Sequence, residues 1–287
     1  MDNRILPIII AFNPDIMLLQ ENISHLLEGA RSVLIWDNTP RSCLALQNLK
    51  PKDKIRIISN NDNIGISKAI NIAAKIADKE GYDYILTMDQ DSILHNIQVY
   101  FKTSIKLQDD YSCIIGPMIK SKFTDNELCD KIVEVNGIIT SGAIIPIKLF
   151  NKIGGFNELF FVDAIDIEFC IRARLHGYKI YKNSSGILEQ RFGNPDEHSI
   201  MGRKFTTCNY SPFRLYGIFR NHILIGRIHG FDKYIKSILY TYARTFIPKI
   251  ILCESDKWLK LKAIIKGIYD GMTFQLYSKQ ESEHNAF

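Results

Sequence analysis

The stretch YILTMDQDSIL (residues 84–94) decides how the first half of this chain is read. An apolar run from Tyr84 to Met88 ends in two carboxylates, Asp89 and Asp91, with one residue between them. In a strand, residues two apart face the same way, so the pair is spaced to share one ion. Mg²⁺ takes one or two protein carboxylates and fills its shell with water and phosphate oxygens. The plainer alternative is a helix cap. Asp91 or Ser92, ahead of ILHNIQVYFKTSIKL (93–107), would accept bonds from free backbone N–H groups. On these residues alone both readings stand, and the cap is the commoner arrangement.

Outward from this stretch, strand and helix patterns alternate. RILPIIIAF (4–12), SVLIWD (32–37), KIRIIS (54–59) and YDYILTMD (82–89) read as four strands. A helical period runs through Met17, Leu18, Ile23, Leu26 and Leu27, and another covers GISKAINIAAKIADKEG (65–81). Such alternation predicts an α/β fold with a mostly parallel sheet flanked by helices. Ligands of open sheets sit beyond the carboxyl ends of the strands. There the chain places Asn13, Asp37 with Asn38, the run NNDNIG (60–65), and Asp89 with Asp91. Further on, DIEFCIRARLHG (166–177) reads as a helix that Asp166 would cap. Glu168 and Arg172, four apart, read as a surface ion pair of about 0.3 kcal/mol. After residue 205 the pattern turns to long helices. The expected division is therefore a catalytic α/β domain over 1–205 and a helical region over 206–287.

Composition narrows the classes. The chain has 287 residues, 46% of them hydrophobic and 23% charged, which suits a folded domain with a sizeable core. Six scattered cysteines form no CxxC pair, which argues against a zinc site and fits reduced thiols in a cytosol. No segment reaches the roughly 18 consecutive apolar residues of a membrane span. There is no GxGxxG after a strand, no GxxxxGK[ST], no HExxH and no GxSxG. The net charge is +5, with the basic excess concentrated from Arg203 to Lys266 on helices that also carry Ile, Leu, Tyr and Trp. That mixture suits an anionic membrane surface, or apolar faces that pack on each other or in a homodimer. It does not resemble a nucleic-acid groove.

In order along the chain, AFNPD (11–15), WDNTP (36–40), NIGISKAINIA (63–73), YILTMDQDS (84–92), TSGAIIPIKLFNKIGGFNELFFVDAIDIEFCIRARLHGYKI (140–180) and SPFRLYGIFRN (211–221) resemble the family-2 glycosyltransferases of the GT-A fold. The likeness is to the bacterial rhamnosyltransferase type that builds cell-surface polysaccharide such as O-antigen. The resemblance implies that Phe12, Asn13 and Pro14 lie against the nucleotide base and that Asp37 contacts the base or ribose. Asp62 and Asn63 would lie beside the nucleotide. Asp89 and Asp91 would hold the ribose and a Mg²⁺ or Mn²⁺ ion on the diphosphate. Ser141 and Gly142 would lie near sugar and acceptor, and Arg220 and Asn221 near the diphosphate. Asp166 falls at the catalytic base. Two departures stand out. Gln190, in ILEQRFG (187–193), occupies the place of a metal-ligating histidine; its carbonyl oxygen, or His198, would substitute. Ile165 replaces an acidic residue before the base, for which Asp163 would compensate.

What the resemblance implies is an inverting, metal-dependent transfer of a sugar from a dTDP- or UDP-linked donor. The expected donor is dTDP-rhamnose, and the acceptor a lipid-linked or growing glycan at the inner face of the cell membrane. Alternatives are a UDP-hexose transferase (glucose, galactose or galactofuranose) and a sugar-nucleotide-binding protein that has lost turnover, the latter motivated by Gln190. A nucleotidyltransferase shares the fold logic and would betray itself by releasing pyrophosphate.

Overall fold

The computed structural model describes residues 4–108, 113–120, 132–190, 196–200 and 203–276. They fall into two compact units, divided between residues 191 and 192.

The first unit opens with β1 (Ile5–Ala11) and α1 (Ile16–Gly29), then β2 (Val33–Asp37), β3 (Ile55–Ser59), α2 (Ile66–Lys79) and β4 (Tyr84–Asp89). Asp15 caps α1, accepting from the backbone N–H of Met17 and Leu18. The four strands pair in parallel in the order β3-β2-β1-β4, with Ala11 opposite Asp37 and Ile10 opposite Asp89. That register gathers the carboxyl ends of β1, β2 and β4 side by side. β1, β2 and β4 are apolar on both sides because helices cover both faces. Leu19, Ile23 and Leu26 of α1 join Ile9, Ile35 and Leu86 in one core. On α2 the buried positions Ala69, Ala73 and Ala77 are small, which lets the helix lie close to β1, β2 and β4.

The chain continues through β5 (Ile93–His95), α3 (Ile97–Lys106), β6 (Cys113–Ile119), β7 (Ile132–Glu134), β8 (Ala143–Pro146), α4 (Ile147–Lys152), α5 (Ile165–Leu175) and β9 (Lys179–Glu189). β8 runs antiparallel between β4 and β6, and β9 pairs in parallel with β6. The first half of β9 is flanked by β7 and its end by β5, both antiparallel. The parallel half of the expected α/β sheet is thus extended by antiparallel strands, giving nine strands among the described residues. One local expectation changes. The helix expected from residue 93 starts at Ile97, because Ile93–His95 is taken by pairing with β9 and Asn96 turns the chain with φ +58°.

The second unit holds a hairpin, β10 (Asp196–Ile200) with β11 (Arg203–Thr207), and three helices: α6 (Pro212–His229), α7 (Lys233–Cys253) and α8 (Lys257–Thr273). Ser211 and Asp232 cap α6 and α7. Leu215, Ile218, Phe219, Ile250 and Ile264 form the core. Lys260 is buried there on Glu254 (2.9 Å) and Asn209 (2.6 Å). Among the described residues no helix is long and apolar enough to cross a membrane.

Candidate active site

The site is built from the acid pair outward. Asp89 ends β4, and its main chain is held on both sides: its N–H donates to Ser141 Oγ (3.2 Å) and its carbonyl accepts from Asn22 Nδ2 (2.8 Å). Both partners are buried, so the carboxylate is aimed by groups that do not themselves face solvent. Gly142 N–H donates to Thr87 O (2.8 Å), and the +81° φ of Gly142 lets the chain turn hard against Pro117 before entering β8. Ser141 and Gly142 are therefore inward supports of β4. Gln90, between the acids, grips the end of β1: Phe12 N–H donates to Gln90 Oε1 (2.7 Å) and Gln90 Nε2 donates to Phe12 O (3.2 Å). Asp91 is exposed. It caps no helix, because α3 starts six residues later, and Ser92 Oγ is buried with no hydrogen-bond partner. The cap reading of the acid pair falls.

Gln190, just past β9, donates from Nε2 to Asp89 Oδ2 (2.8 Å), while its Oε1 is buried and has no hydrogen-bond partner. A buried amide oxygen without a donor carries a desolvation cost that a cation would relieve. Among the described residues no three His, Cys, Asp or Glu side chains come together as a metal cage. The available donors are the carboxylates of Asp89 and Asp91 with the Gln190 amide oxygen. This sparse, all-oxygen set suits a hard ion that keeps water and phosphate in its shell. The residues fit Mg²⁺ or Mn²⁺.

Beside the acids lies the loop after β2. Asp37 is buried and both its oxygens are occupied, Oδ1 by Thr39 N–H (2.9 Å) and Oδ2 by Cys43 N–H (2.7 Å). Thr39 Oγ1 in turn accepts from Asn13 N–H (3.0 Å), holding Asn13 at φ +44°. Asn38 braces the next loop, through Ile64 N–H and Gly65 O (both 3.2 Å). Asp37 shapes these loops from within, and Phe12, Asn13 and Asp62 are the exposed groups at their surface, with Pro14 half-buried. Asp62 Oδ1 accepts from Asn63 N–H (2.8 Å), and Asn63 Oδ1 from Gly65 N–H (3.1 Å).

The start of α2 fastens a second loop, residues 153–164. Ile66 N–H donates to Phe161 O (2.8 Å) and Ser67 Oγ to Phe160 O (2.6 Å). Asn71 bonds Phe156 both ways, at 2.9 and 2.8 Å. A Cβ at Gly65 would stand 2.6 Å from the Phe161 ring, and one at Gly155 would stand 2.6 Å from Asn71 Oδ1. Both glycines are needed for the close approach. From the other side Arg172 of α5 bonds Ile153 O (2.5 Å) and Gly155 O (2.7 Å) while pairing with Glu168. The surface ion pair expected at 168 and 172 is buried instead, because the loop folds over it.

The fastened loop leads into α5 through Asp163 and Ala164, both at positive φ (61° and 60°). Asp166 sits in the first turn of α5, one residue inside the helix rather than at its cap, and its Oδ1 accepts from Ile167 N–H (2.8 Å). Burial pushes its carboxyl up to about 6; the Ile167 bond opposes this and the charge of Asp163 adds to it. A carboxylate poised there can take a proton near neutral pH.

A family model described as Glycosyl transferase family 2 matches residues 8–161, more than half of the chain. The chain belongs to that family. This family-2 glycosyltransferase is 26% identical to the dTDP-rhamnosyl transferase RfbF of Shigella flexneri, over 95% of this chain and 96% of that protein. Its fold is shared with TarS 1–349 of S. aureus (TM-score 0.57, 15% identity, 92% of this chain and 81% of that one). It is shared also with the mannosyltransferase PcManGT of Pyrobaculum calidifontis, solved with GDP-Man and Mn²⁺ (TM-score 0.59, 13% identity, 95% and 76%). GalNAc-T7, solved with UDP, GalNAc and Mn²⁺, matches 93% of this chain (TM-score 0.58, 11% identity), which spans 55% of that longer chain. The GT-A architecture implied by the sequence is the one observed.

Three sequence-predicted residues of the glycosyltransferase lie in its second unit. Arg220 bonds Asn221 Oδ1 (2.9 Å) and lies over the Phe274 ring. Asn221 is buried, and His198 Nε2 is 3.2 Å from Thr207 Oγ1 across the hairpin. Sequence reading passed over Asn22, Ser67, Asn71 and Gln90. For three of them a signal existed: polar side chains on apolar helix faces, Asn22 beside Leu19, Ile23 and Leu26, and Ser67 and Asn71 four apart on one turn-repeat of α2.

Proposed function

We propose that this glycosyltransferase moves rhamnose from dTDP-rhamnose, with inversion, onto a lipid-linked or growing cell-surface polysaccharide at the cytoplasmic face of the membrane. The likeness to dTDP-rhamnosyl transferase RfbF across 95% of the chain carries the donor assignment. In this reading residues 1–205 form the catalytic domain and residues 206–287 the region that meets membrane or partner.

The mechanism follows from the placement of the carboxylates. Asp89, Asp91 and Gln190 Oε1 would hold Mg²⁺ or Mn²⁺, which when bound offsets the charge growing on the departing diphosphate. Phe12, Asn13 and Pro14 offer the base a surface that Gln90 ties to the acid pair. Asp166 accepts the proton of the acceptor hydroxyl as that oxygen attacks the anomeric carbon; burial, with the charge of Asp163 adding to it, keeps its proton affinity high. One base and one leaving group give a single displacement, hence inversion.

A thermal-shift series of the purified chain with dTDP, UDP, GDP and CDP, each with Mn²⁺, Mg²⁺ or EDTA, tests the donor site. A ligand of the folded state raises its melting temperature with concentration over affinity. The expected result is a metal-dependent rise with dTDP exceeding that with the other three. A larger rise with UDP would move the assignment to a UDP-hexose. No rise with any nucleotide would overturn the transferase reading in favour of a site that has lost its donor.

A further inference from the structure

α8 has two faces. Lys260, Ile264, Gly267 and Gly271, spaced four, three and four apart, are buried, the last three against α6 and Lys260 on Glu254 and Asn209. The two glycines make this contact a backbone one: a Cβ at Gly267 would stand 2.5 Å from Tyr216 O, and one at Gly271 2.8 Å from Arg220 O. On the opposite side Trp258 is 85% exposed, Ile265 68%, Tyr269 65% and Met272 54%. At 100° per residue these four fall within an arc of about 60°. A contiguous apolar strip of this kind is unusual on a free surface and marks a place of contact.

The charges beside the strip select the partner. Lys262 and Lys266 border it on one side and Lys257 on the other, all exposed. The one acidic residue within α8, Asp270, is turned from the strip to Lys266 and to the Tyr216 hydroxyl. Upstream, α7 carries Lys233, Lys236, Arg244 and Lys249 and no acidic residue. A two-fold contact through this strip would set lysine rows against lysine rows, so a second copy is a poor occupant. An apolar arc holding Trp and Tyr, bordered by lysines, matches the boundary between acyl chains and anionic headgroups.

We propose that α8 docks on a membrane surface carrying anionic lipids, with Trp258, Ile265, Tyr269 and Met272 entering the interfacial layer and Lys257 and Lys262 against the headgroups. It deepens the membrane placement proposed above and does not rest on the donor assignment, since vesicle binding and nucleotide binding are separate readouts. The chain has two tryptophans, and Trp36 is buried in the first unit, so the fluorescence change on docking belongs to Trp258. The test mixes the full chain with vesicles of phosphatidylcholine alone, or of phosphatidylcholine with phosphatidylglycerol, and reads Trp emission and co-sedimentation. The expected result is a blue shift and sedimentation with the anionic vesicles, both reduced by added salt. The double variant Lys257→Glu/Lys262→Glu should bind roughly tenfold or more weakly, and Ile265→Ser/Met272→Ser should lose the shift. Both pairs are exposed, so unchanged melting temperatures certify the fold. No binding to anionic vesicles, equal binding to neutral ones, or a dimer in solution that Ile265→Ser/Met272→Ser dissolves would overturn the proposal.

Discussion

Removing either member of the Glu168–Arg172 pair will unfold the first unit at a markedly lower temperature, and removing the second member as well will not make matters worse. Glu168 is buried to 1% side-chain exposure and Arg172 to 17%. The guanidinium makes four hydrogen bonds: two to the Glu168 carboxylate (2.7 and 2.8 Å) and two to the carbonyls of Ile153 and Gly155. Arg172→Met leaves an uncompensated carboxylate and two carbonyls without a donor. Breaking a buried pair in this way costs about 3–5 kcal/mol. For a unit of this size each kcal/mol lowers the melting temperature by roughly 2–4 °C, so a drop of ~6 °C or more is expected. Adding Glu168→Leu removes the stranded charge, so the double variant should melt at or above the Arg172→Met single variant. Scanning calorimetry of the two singles and the double reads this directly. Singles that cost less than ~1 kcal/mol, or a double variant well below both, would refute the buried-pair account.

Three further outcomes are expected. Asp166 holds its proton up to about pH 6 in the folded chain but only to its ordinary 3.8 when unfolded, so its contribution to stability is complete below 3.8 and is lost as pH rises through about 6. Asp166→Asn should therefore melt higher than the parent at pH 7.5 and equally at pH 3.5, while abolishing transfer; in the parent, kcat should climb as pH passes about 6, and a flat profile there would dismiss Asp166 as the base. Asn71→Leu releases the 153–164 loop from α2, so kcat should fall more than tenfold while the donor KM changes little; an equal rise in KM with kcat intact would remove Asn71 from the positioning of Asp166. Gln190→Ala should weaken Mn²⁺ binding, read by calorimetric titration in the presence of dTDP, about tenfold; unchanged affinity would mean that the amide oxygen never reaches the ion.

The strands and helices of the parallel half were legible because their signals are local: apolar runs closed by polar residues, and the small-residue face of α2. The long helices of the second unit were legible for the same reason. What escaped was long-range. Gln90 acts on Phe12, 78 residues away, and Asn71 on Phe156, 85 residues away; neither bond leaves a mark in its own neighbourhood. The i, i+4 spacing of Glu168 and Arg172 is the same for an exposed pair as for a buried one, and only the fold of the 153–164 loop over it tells them apart. Ile93–His95 continues the apolar period of α3, and the competing partner, β9, lies nearly a hundred residues on. Asp37 was readable as a polar group at a strand end and Ser141 only through the family resemblance, but not that both turn inward to hold backbone.

Gln90 has a bearing on selectivity. Its amide holds both the N–H and the carbonyl of Phe12, so the loop that would receive the base and the residue pair that would receive the ion are a single mechanical piece. If Phe12 receives the base and the acid pair the ion, a donor whose base pushes Phe12 aside would drag the acid pair with it, and a site left without its ion would relax its hold on the base. Wrong bases would then be penalised twice, once in affinity and once in the charge balance of the departing group. Replacing Gln90 by a residue that cannot grip the loop would separate the two penalties, and with them much of the enzyme's ability to tell one nucleotide from another.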